Sequence, residues 1–464
     1  MTSKLADKSL TILCIFLGSI LVVFILYKFS EHKKLQINSK LSSFQQPKFF
    51  HQNLPLLDTF SFGSNRLETC RAITDDKIDQ GTKQKLVNYL KNSTPIGSHN
   101  FSQSNCDVLK TSRGYITEPL SKEEEEYPIA YSIVIHKDLE IFERLFRAVY
   151  QPQNLYCVHV DDKADPEFKR KVSEYLNCFD NAIEPKIKEK VYYAHYSRLM
   201  ADVHCLNSLN DFSNITGRDY KYVFNLCGQD FPIKTNFELV RSLKELNGRD
   251  ECESFDLMRA GKGWRVRQGY SLNLDDKNYN KLQKDPAFDK PGVEFGPLGE
   301  TTGLFGGSAY FSLSKASVDF ILTDKKVEEF FNWSIHTYSP DEHVWATLSR
   351  YDRLPGSLPA HEKYQMNEIH TRTRLVKWAG LDSANPKKGK IHNVPVYDTC
   401  HGRWQRGVCI YGALDLEFLV KSRHWFANKF DLKVDSIAVD CLDFYLREKT
   451  IKQVEEQHRW YGHV

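Results

Sequence analysis

Ile129-Ala-Tyr-Ser-Ile-Val-Ile135 is a nearly all-apolar run that predicts a strand buried on both faces. Apolar residues then recur at helical spacing over 139–149, and Pro152 ends that pattern. Leu155-Tyr-Cys-Val-His-Val160, closed by Asp161-Asp162, predicts a second buried strand. A strand, a helix and a strand in this order indicate an α/β protein with a mainly parallel central sheet.

The alternation continues along the chain. Further strands are predicted at Val191-Tyr-Tyr-Ala194, at 222–227 and at 304–313. Thr235 and Glu238 have the spacing of a capping box, which predicts a helix that Gly248 can end.

Polar residues follow several of these strands. Ligands of such sheets bind at the carboxyl ends of the strands, which brings His136, Asp161 and the turn 225–230 towards one cleft. Ordinary loop residues are the alternative, and for Asp161 the pattern favours neither.

Residues 10–27 read LTILCIFLGSILVVFILY and carry no charge. A bilayer core needs about 20 apolar residues, so this segment predicts a membrane span. A cleaved signal peptide is the alternative, but its apolar region is usually about 7–15 residues long. The sequence favours an uncleaved signal anchor at 10–27, with a tail at 1–9, a stem at 28–120 and a large domain at 121–464. Lysines lie on both sides of the span, so the cysteines and glycosylation acceptors described next are what favour a cytoplasmic tail and a luminal stem and domain.

The remaining composition agrees with a luminal body. Of 11 cysteines, all but Cys14 lie beyond the span, and none forms a CxxC pair or a zinc-type cluster, which favours disulfides in an oxidising compartment. The net charge of +3 gives no case for a nucleic-acid partner. Glycosylation acceptors occur at Asn92, Asn100, Asn214 and Asn332.

Tyr338-Ser-Pro-Asp-Glu-His-Val-Trp-Ala346 places two adjacent carboxylates at the start of a predicted helix. Locally, the favoured interpretation is structural: Ser339 caps the helix, Pro340 takes its first position and Glu342 completes a capping box. The alternative is that Glu342 acts as a general base.

A luminal α/β domain of this kind makes a glycosyltransferase the leading class. Many such enzymes hold a divalent metal with Asp-x-Asp, which is absent from this chain, and Asp161-Asp162 is the nearest alternative. A leaving diphosphate needs positive charge, for which Arg406 and Lys429 are candidates, although their spacing alone would leave both as ordinary surface cations.

Several ordered segments resemble the core 2 family of β-1,6-N-acetylglucosaminyltransferases, the Golgi mucin-branching enzymes of glycosyltransferase family 14. They span about 117–441 and include Pro128-Ile-Ala-Tyr-Ser-Ile133, Asn225-Leu-Cys-Gly228, Gly307-Ser-Ala-Tyr-Phe311, Thr337-Tyr-Ser-Pro-Asp-Glu342, Val376-Lys-Trp378 and Phe426-Ala-Asn-Lys-Phe430.

The resemblance implies a GT-A-type nucleotide-sugar-binding fold and metal-independent, inverting transfer of GlcNAc from UDP-GlcNAc to the 6-hydroxyl of GalNAc in Galβ1-3GalNAc. Two residues after Trp378, where the family often has an aromatic residue, this chain has Gly380, which leaves the acceptor preference open. The implied catalytic base is Glu342; the implied donor residues are Val134, His136, Asp161, Tyr193, Arg406 and Lys429; the implied acceptor residues are Glu253, Lys262, Arg265 and Trp378.

The family's disulfides map onto Cys70–Cys441, Cys106–Cys178, Cys157–Cys205 and Cys400–Cys409, with Cys227 a free thiol and Cys252 without an expected partner.

The implied partners are UDP-GlcNAc, O-glycan acceptors on glycoproteins and the Golgi membrane, and a homodimer is compatible with the resemblance. The alternatives are core 4 or I-type branching, a related xylosyltransferase, or a non-catalytic Golgi glycan-binding protein.

Overall fold

A computed structural model describes residues 64–92, 105–275, 281–358, 371–379 and 399–461. The predicted span at 10–27, Asn100 and Gly380 lie outside these described residues. Within the described ranges, no helix combines the length and the apolar character that crossing a bilayer requires.

The centre of the fold is a six-stranded sheet that begins with the strands β1 (Ile129–Ile135), β2 (Leu155–Val160), β3 (Ala182–Ile183) and β4 (Tyr222–Cys227). β1 lies between β2 and β4 and is parallel to both, and β3 is parallel to β2. Two further strands extend the sheet beyond β4. Phe311–Ser314 is antiparallel to β4, and Glu251–Cys252 is antiparallel to Phe311–Ser314. The prediction of an α/β fold with a mainly parallel central sheet is confirmed.

Burial on both faces explains why the parallel strands are continuous apolar runs. Every residue of β1 and β2 is buried. The helix Leu139–Val149 contributes Phe142 and Phe146 to the core on one face. The long helix Tyr196–Thr216 contributes Leu199 and Leu206 to a second core cluster. The sheet is therefore covered by helices, as expected for parallel strands.

Two strand predictions were wrong. Residues 191–194 form a loop, because Ala194 has a φ of 57° and the Tyr192 N–H donates to Ser197 Oγ at 3.0 Å instead of to a neighbouring strand. The segment 304–313 is interrupted between Phe305–Gly306 and Phe311–Ser314, where Gly307 approaches other backbone closely.

A smaller sheet lies towards the C-terminus. Phe426–Asn428 is parallel to Arg374–Val376 and antiparallel to Asp230–Pro232. The hairpin Arg403–Gln405/Val408–Ile410 follows, and Trp378 pairs with Val408 in an isolated bridge. The sheet positions Trp378 and Lys429, which follow two of its strands, and the hairpin carries Arg406 in its turn.

Part of the segment 28–120, which the sequence assigns to the stem, is helical and packs against the remainder of the described chain. Cys70 and Ile73 of the helix Ser64–Thr74 belong to a core cluster that also contains Cys441 of the last helix. The predicted disulfides are confirmed, and Cys227 and Cys252 are free: the pairs are Cys70–Cys441, Cys106–Cys178, Cys157–Cys205 and Cys400–Cys409.

The predicted capping box at Thr235 is formed, and it opens the helix Asn236–Leu246. Among the described residues, the other helices are Gln80–Asn92, Cys106–Ser112, Lys122–Glu125, Pro166–Leu176, Trp264–Arg267, Lys315–Thr323, Lys325–Trp333, Val344–Leu348, Leu416–Lys421 and Leu432–Tyr461. Single 3-10 turns occur at Pro286–Phe288, Pro340–Glu342 and Ala413–Asp415, and further short strands at Phe255–Asp256, Tyr270–Leu272 and Leu282–Lys284.

Candidate functional site

The carboxyl ends of the parallel strands form one edge of the site. Val134 pairs with Cys227, and its carbonyl accepts from the Gly228 N–H at 3.2 Å. The Asp161 N–H donates to the carbonyl of Ile135, the residue before His136, at 2.9 Å. Val134, His136, Asp161 and the turn after β4 therefore lie together, as the strand-end rule predicts.

Asp161 has a structural task in this edge. Its buried carboxylate accepts from the backbone N–H groups of Lys163 at 2.9 Å and Val191 at 3.3 Å. These bonds fix the loop that leads to Tyr193, whose side chain is 56% exposed. The carboxylate of Asp161 thus holds the loop that presents Tyr193.

Glu342 does not form the capping box that its sequence permits. It ends the 3-10 turn Pro340–Glu342, Ser339 has a φ of 48°, and the Ser339 side chain makes no capping hydrogen bond. The Ser339 N–H donates instead to Ala194 O at 2.8 Å. The Glu342 side chain, 40% exposed, forms an ion pair with Arg265, in which Nη1 lies 2.6 Å from Oε2. The capping-box interpretation of Glu342 is therefore wrong.

Gly307 joins the Glu342 segment to Glu253. The Gly307 N–H donates to Glu342 O at 2.8 Å, and a Cβ on Gly307 would lie 2.0 Å from Glu253 O. Only glycine fits between these two backbones. The break in the predicted strand thus brings Glu253, Glu342 and Arg265 into one neighbourhood.

Lys262 precedes Arg265 in one turn of backbone, in which the Arg265 N–H donates to Lys262 O at 3.0 Å, whereas Trp378 belongs to a different segment. The Lys262 ammonium lies over the ring of Phe255, 4.3 Å from its centroid. Trp378 is 50% exposed, and its neighbour Ala379 donates to Gly407 O at 2.8 Å. Trp378 is therefore attached to the hairpin that carries Arg406.

Arg406 and Lys429 are brought together by this hairpin. Arg406 has a φ of 52° and Gly407 a φ of 78°, so an arginine occupies a turn position that favours glycine or asparagine. Lys429 Nζ donates to Gln405 Oε1 at 3.2 Å. Burial lowers the pKa of Lys429, and the positive charges of Arg406 and Lys137 lower it further. A bound anion would relieve this repulsion.

A buried network ties this cationic pair to the central sheet. Asp230 accepts from the Cys227 N–H at 2.6 Å and from Asn428 Nδ2 at 2.8 Å, and it pairs with Arg374 at 3.2 Å. Asn428 directly precedes Lys429, so the network fixes Lys429 relative to the end of β4. Cys227 lies in the same network, and burial raises the pKa of its thiol to about 11.

Asp341, the second carboxylate of the pair, is buried. Burial raises its pKa to about 7, with Glu342 and Asp202 acting in the same direction and Arg198 in the opposite one. Arg198 is itself paired with Asp202 at 2.7 Å. The two adjacent carboxylates thus have separate environments, one exposed and one enclosed.

A cluster with metal-ligand spacing also occurs in the part of the chain that the structure describes. It consists of Cys400, Cys409 and Asp415. Its two cysteines are joined as a disulfide, so their sulfurs are already bonded to each other.

The arrangement can be compared with known proteins. The family model described as "Core-2/I-Branching enzyme" matches residues 129–417, which include the parallel strands, Glu342 and Arg406. The chain belongs to the Core-2/I-branching enzyme family.

Individual members of this family are similar over most of the chain. A human protein named beta-1,3-galactosyl-O-glycosyl-glycoprotein beta-1,6-N-acetylglucosaminyltransferase is 40% identical, with 83% of this chain and 86% of that one covered. A second human protein, the form numbered 3, is 39% identical over 84% of this chain and 86% of its own. The mouse form numbered 4 is 43% identical over 76% of this chain and 72% of its own.

Three residues of this Core-2/I-branching enzyme lie at the site without having been predicted. Lys137 directly follows His136, so the rule that pointed to the strand end could have found it. Trp264 precedes Arg265 in a segment without clear periodicity. The resemblance pointed to the neighbouring cations Lys262 and Arg265 but not to Trp264 itself. Asp341 was noted only as a neighbour of Glu342, because its burial depends on distant parts of the chain.

Proposed function

We propose that this protein is an inverting glycosyltransferase that moves GlcNAc from UDP-GlcNAc to the 6-hydroxyl of GalNAc in core 1 O-glycans (Galβ1-3GalNAc), forming the core 2 branch. The observation that carries the proposal is the Glu342 carboxylate, exposed and oriented by Arg265 instead of capping a helix. The names of its relatives specify β-1,6-N-acetylglucosaminyl transfer, in agreement with this chemistry.

In the proposed reaction, Glu342 removes the proton from the acceptor 6-hydroxyl. The oxygen then attacks the anomeric carbon of GlcNAc from the face opposite UDP. The new carbon–oxygen bond forms as the bond to the diphosphate breaks, UDP leaves with the electron pair, and the α-linkage becomes β. Help from a general base is worth about 10²–10⁴-fold in rate.

Arg406 and Lys429 would stabilise the departing diphosphate without a divalent metal. Two observations support this role. Lys429 contacts Gln405 of the hairpin that carries Arg406, and the pKa of Lys429 is lowered, which favours an anionic ligand. A metal at Asp161-Asp162 is the alternative. It is the weaker one, because the Asp161 carboxylate already accepts two backbone hydrogen bonds.

The remaining proposals concern fold type and location. We assign the mainly parallel sheet to the GT-A type, with the nucleotide at the carboxyl ends of β1, β2 and β4 and in contact with Val134, His136, Asp161 and Tyr193. We also propose a single-pass Golgi protein with the span at 10–27, a stem at 28–120 and a luminal catalytic domain at 121–464. The four disulfides support an oxidising compartment.

The deciding experiment is a transfer assay with the protein in EDTA, using UDP-GlcNAc and Galβ1-3GalNAc beside the core 3 acceptor GlcNAcβ1-3GalNAc. Product on the first acceptor supports core 2 synthesis without a metal, and product on both indicates broader mucin branching. Recovery only with manganese would overturn the roles of Arg406 and Lys429. If neither condition gives product, titration with UDP separates an enzyme with another acceptor from a glycan-binding protein that ignores the nucleotide.

A further inference from the structure

Aromatic rings enclose the arginine that holds the proposed base. The guanidinium carbon of Arg265 lies 5.4 Å from the ring centroids of both Trp264 and Tyr338. The two rings are 5.0 Å apart and inclined at 54°, and Tyr270 supports Tyr338 from 5.2 Å. Tyr338 also interacts with Tyr193 through a side-chain hydrogen bond. We refer to Trp264, Tyr338 and Tyr270 as the aromatic wall.

The backbone makes this wall rigid. The Tyr338 N–H donates to Arg265 O at 2.8 Å, and the Tyr270 N–H donates to His336 O at 2.9 Å. The Gln268 N–H donates to Trp264 O at 3.1 Å. The backbone that carries Trp264 is therefore held before any ligand binds, which reduces the entropy lost on binding.

Trp264 differs from the rest of the wall in its exposure. Tyr270 is buried, whereas Trp264 remains 39% exposed even though Tyr338 and Arg265 pack against it. A large, fixed and exposed aromatic face beside a polar group is well suited to the apolar C–H face of a sugar ring.

We propose that Trp264 forms an acceptor subsite that stacks on the β-linked galactose next to the GalNAc that receives GlcNAc. The guanidinium of Arg265 packs against the Trp264 ring and also pairs with the Glu342 carboxylate. Because both groups contact one guanidinium, they can hold the two sugars of one disaccharide, with GalNAc at Glu342 and its galactose neighbour on Trp264. The inference rests on the proposed function, and it adds a residue that determines which disaccharide is accepted.

The test is steady-state kinetics with a Galβ1-3GalNAc aryl glycoside on the parent protein, Trp264→Ala and Trp264→Phe. Trp264→Ala should raise the acceptor KM by about tenfold, equivalent to about 1.4 kcal/mol of binding. The donor KM and kcat should change by no more than about twofold, because the lost contact is the same in the ground state and the transition state. Trp264→Phe keeps an aromatic face and should recover most of the loss. Tyr89→Ala, at an exposed aromatic of the helix Gln80–Asn92, is the matched control and should match the parent.

An unchanged acceptor KM in Trp264→Ala, or a rise confined to the donor KM, would overturn the subsite. A fall in kcat alone would mean that Trp264 serves only to hold Arg265, and would overturn it as well. If thermal unfolding shows that the alanine variant is not folded, Trp264→Leu takes its place, since it keeps apolar volume without an aromatic face.

Saturation-transfer NMR with UDP present tests the same contact without turnover. Transfer to the galactose protons should fall in Trp264→Ala while transfer to the GalNAc protons persists. Loss at GalNAc alone, or no loss, would contradict the assignment. A parent protein that binds the disaccharide but transfers no GlcNAc would refute the proposed function, whereas an active parent with an unaltered galactose signal in the variant would refute only the subsite.

Discussion

Arg265 Nη1 lies 2.6 Å from Glu342 Oε2, and this ion pair joins two segments that are far apart in the sequence. The Arg265 side chain is largely buried, whereas that of Glu342 is 40% exposed. One oxygen of the carboxylate is thus fixed by the protein, and the carboxylate still reaches solvent. A proposed general base needs this combination of a fixed orientation and access to a substrate hydroxyl.

Glu342→Gln is expected to lower kcat by about 10²–10⁴-fold, because glutamine keeps the shape and one acceptor oxygen but cannot take a proton. Stability should change little, since the ion pair is partly exposed. Initial rates and thermal unfolding check these two expectations. Glu329→Gln, on the exposed face of the helix Lys325–Trp333, is the matched control. Near-parental transfer by a folded Glu342→Gln protein would rule out the base assignment.

Arg406→Gln and Lys429→Gln should each weaken UDP binding by about 10–100-fold, as expected when one hydrogen bond to a charged group is removed. The physical reason is that both cations converge at the hairpin, where an anion relieves their repulsion. Calorimetric titration in EDTA measures the effect, with Lys433→Gln as a control for the loss of an exposed charge. If the two variants bind UDP as the parent does, the diphosphate lies elsewhere.

Much of the fold could be predicted because its signals are local. The strands Ile129–Ile135 and Tyr222–Cys227 have the predicted bounds, since a strand buried on both faces must be an uninterrupted apolar run. The segment 191–194 also looks like a strand, but its amides bond to Asp161 and Ser197 side chains. That competition depends on residues outside the segment, and local pattern could not reveal it.

The candidate site was harder to predict than the fold, because it depends on tertiary contacts between distant segments. Strand ends pointed to His136 and Asp161, but the capping signature at Ser339 pointed away from a chemical role for Glu342. The left-handed backbone of Ser339 and the ion pair with Arg265, which a distant short helix contributes, argue against the capping interpretation. Likewise, nothing near Arg406 in the sequence indicates its left-handed backbone or its closeness to Lys429.

Asp341 should make stability depend on pH. Its pKa of about 7 in the folded protein exceeds the ordinary value of 3.8, so the folded state binds the proton more tightly than the unfolded state. The free energy of unfolding should therefore decrease as pH rises from about 4 to 7, by at most about 1.4 kcal/mol per pH unit for one proton. Asp341→Asn removes the titrating carboxyl group, so the free energy of unfolding of this variant should depend less on pH in that window. Denaturant unfolding at several pH values tests it, and an equally steep profile in the variant would assign the slope to another group.

The buried ion pair beneath the Arg406 hairpin offers a separate test of how that hairpin is held. Lys377 Nζ lies 2.9 Å from Asp415 Oδ1, both side chains are 0% exposed, and Asp415 also accepts from the Gly412 N–H at 2.9 Å. Lys377→Met should lower the free energy of unfolding by about 3–5 kcal/mol, because it leaves a buried carboxylate without its counter-charge. Because the Cys409 N–H donates to Lys377 O, UDP affinity should fall as well.

Lys421→Met is the control for this prediction, since its ion pairs with Asp76 and Glu417 are exposed and should contribute little to stability. The double variant Lys377→Met/Asp415→Asn should recover part of the loss in stability, because asparagine removes the unpaired charge and keeps an oxygen that can accept from the Gly412 N–H. Denaturant unfolding of all three variants under oxidising conditions keeps Cys400–Cys409 intact during the comparison. A Lys377→Met protein as stable as Lys421→Met would mean that the backbone hydrogen bonds to Asp415 alone are enough to hold the hairpin.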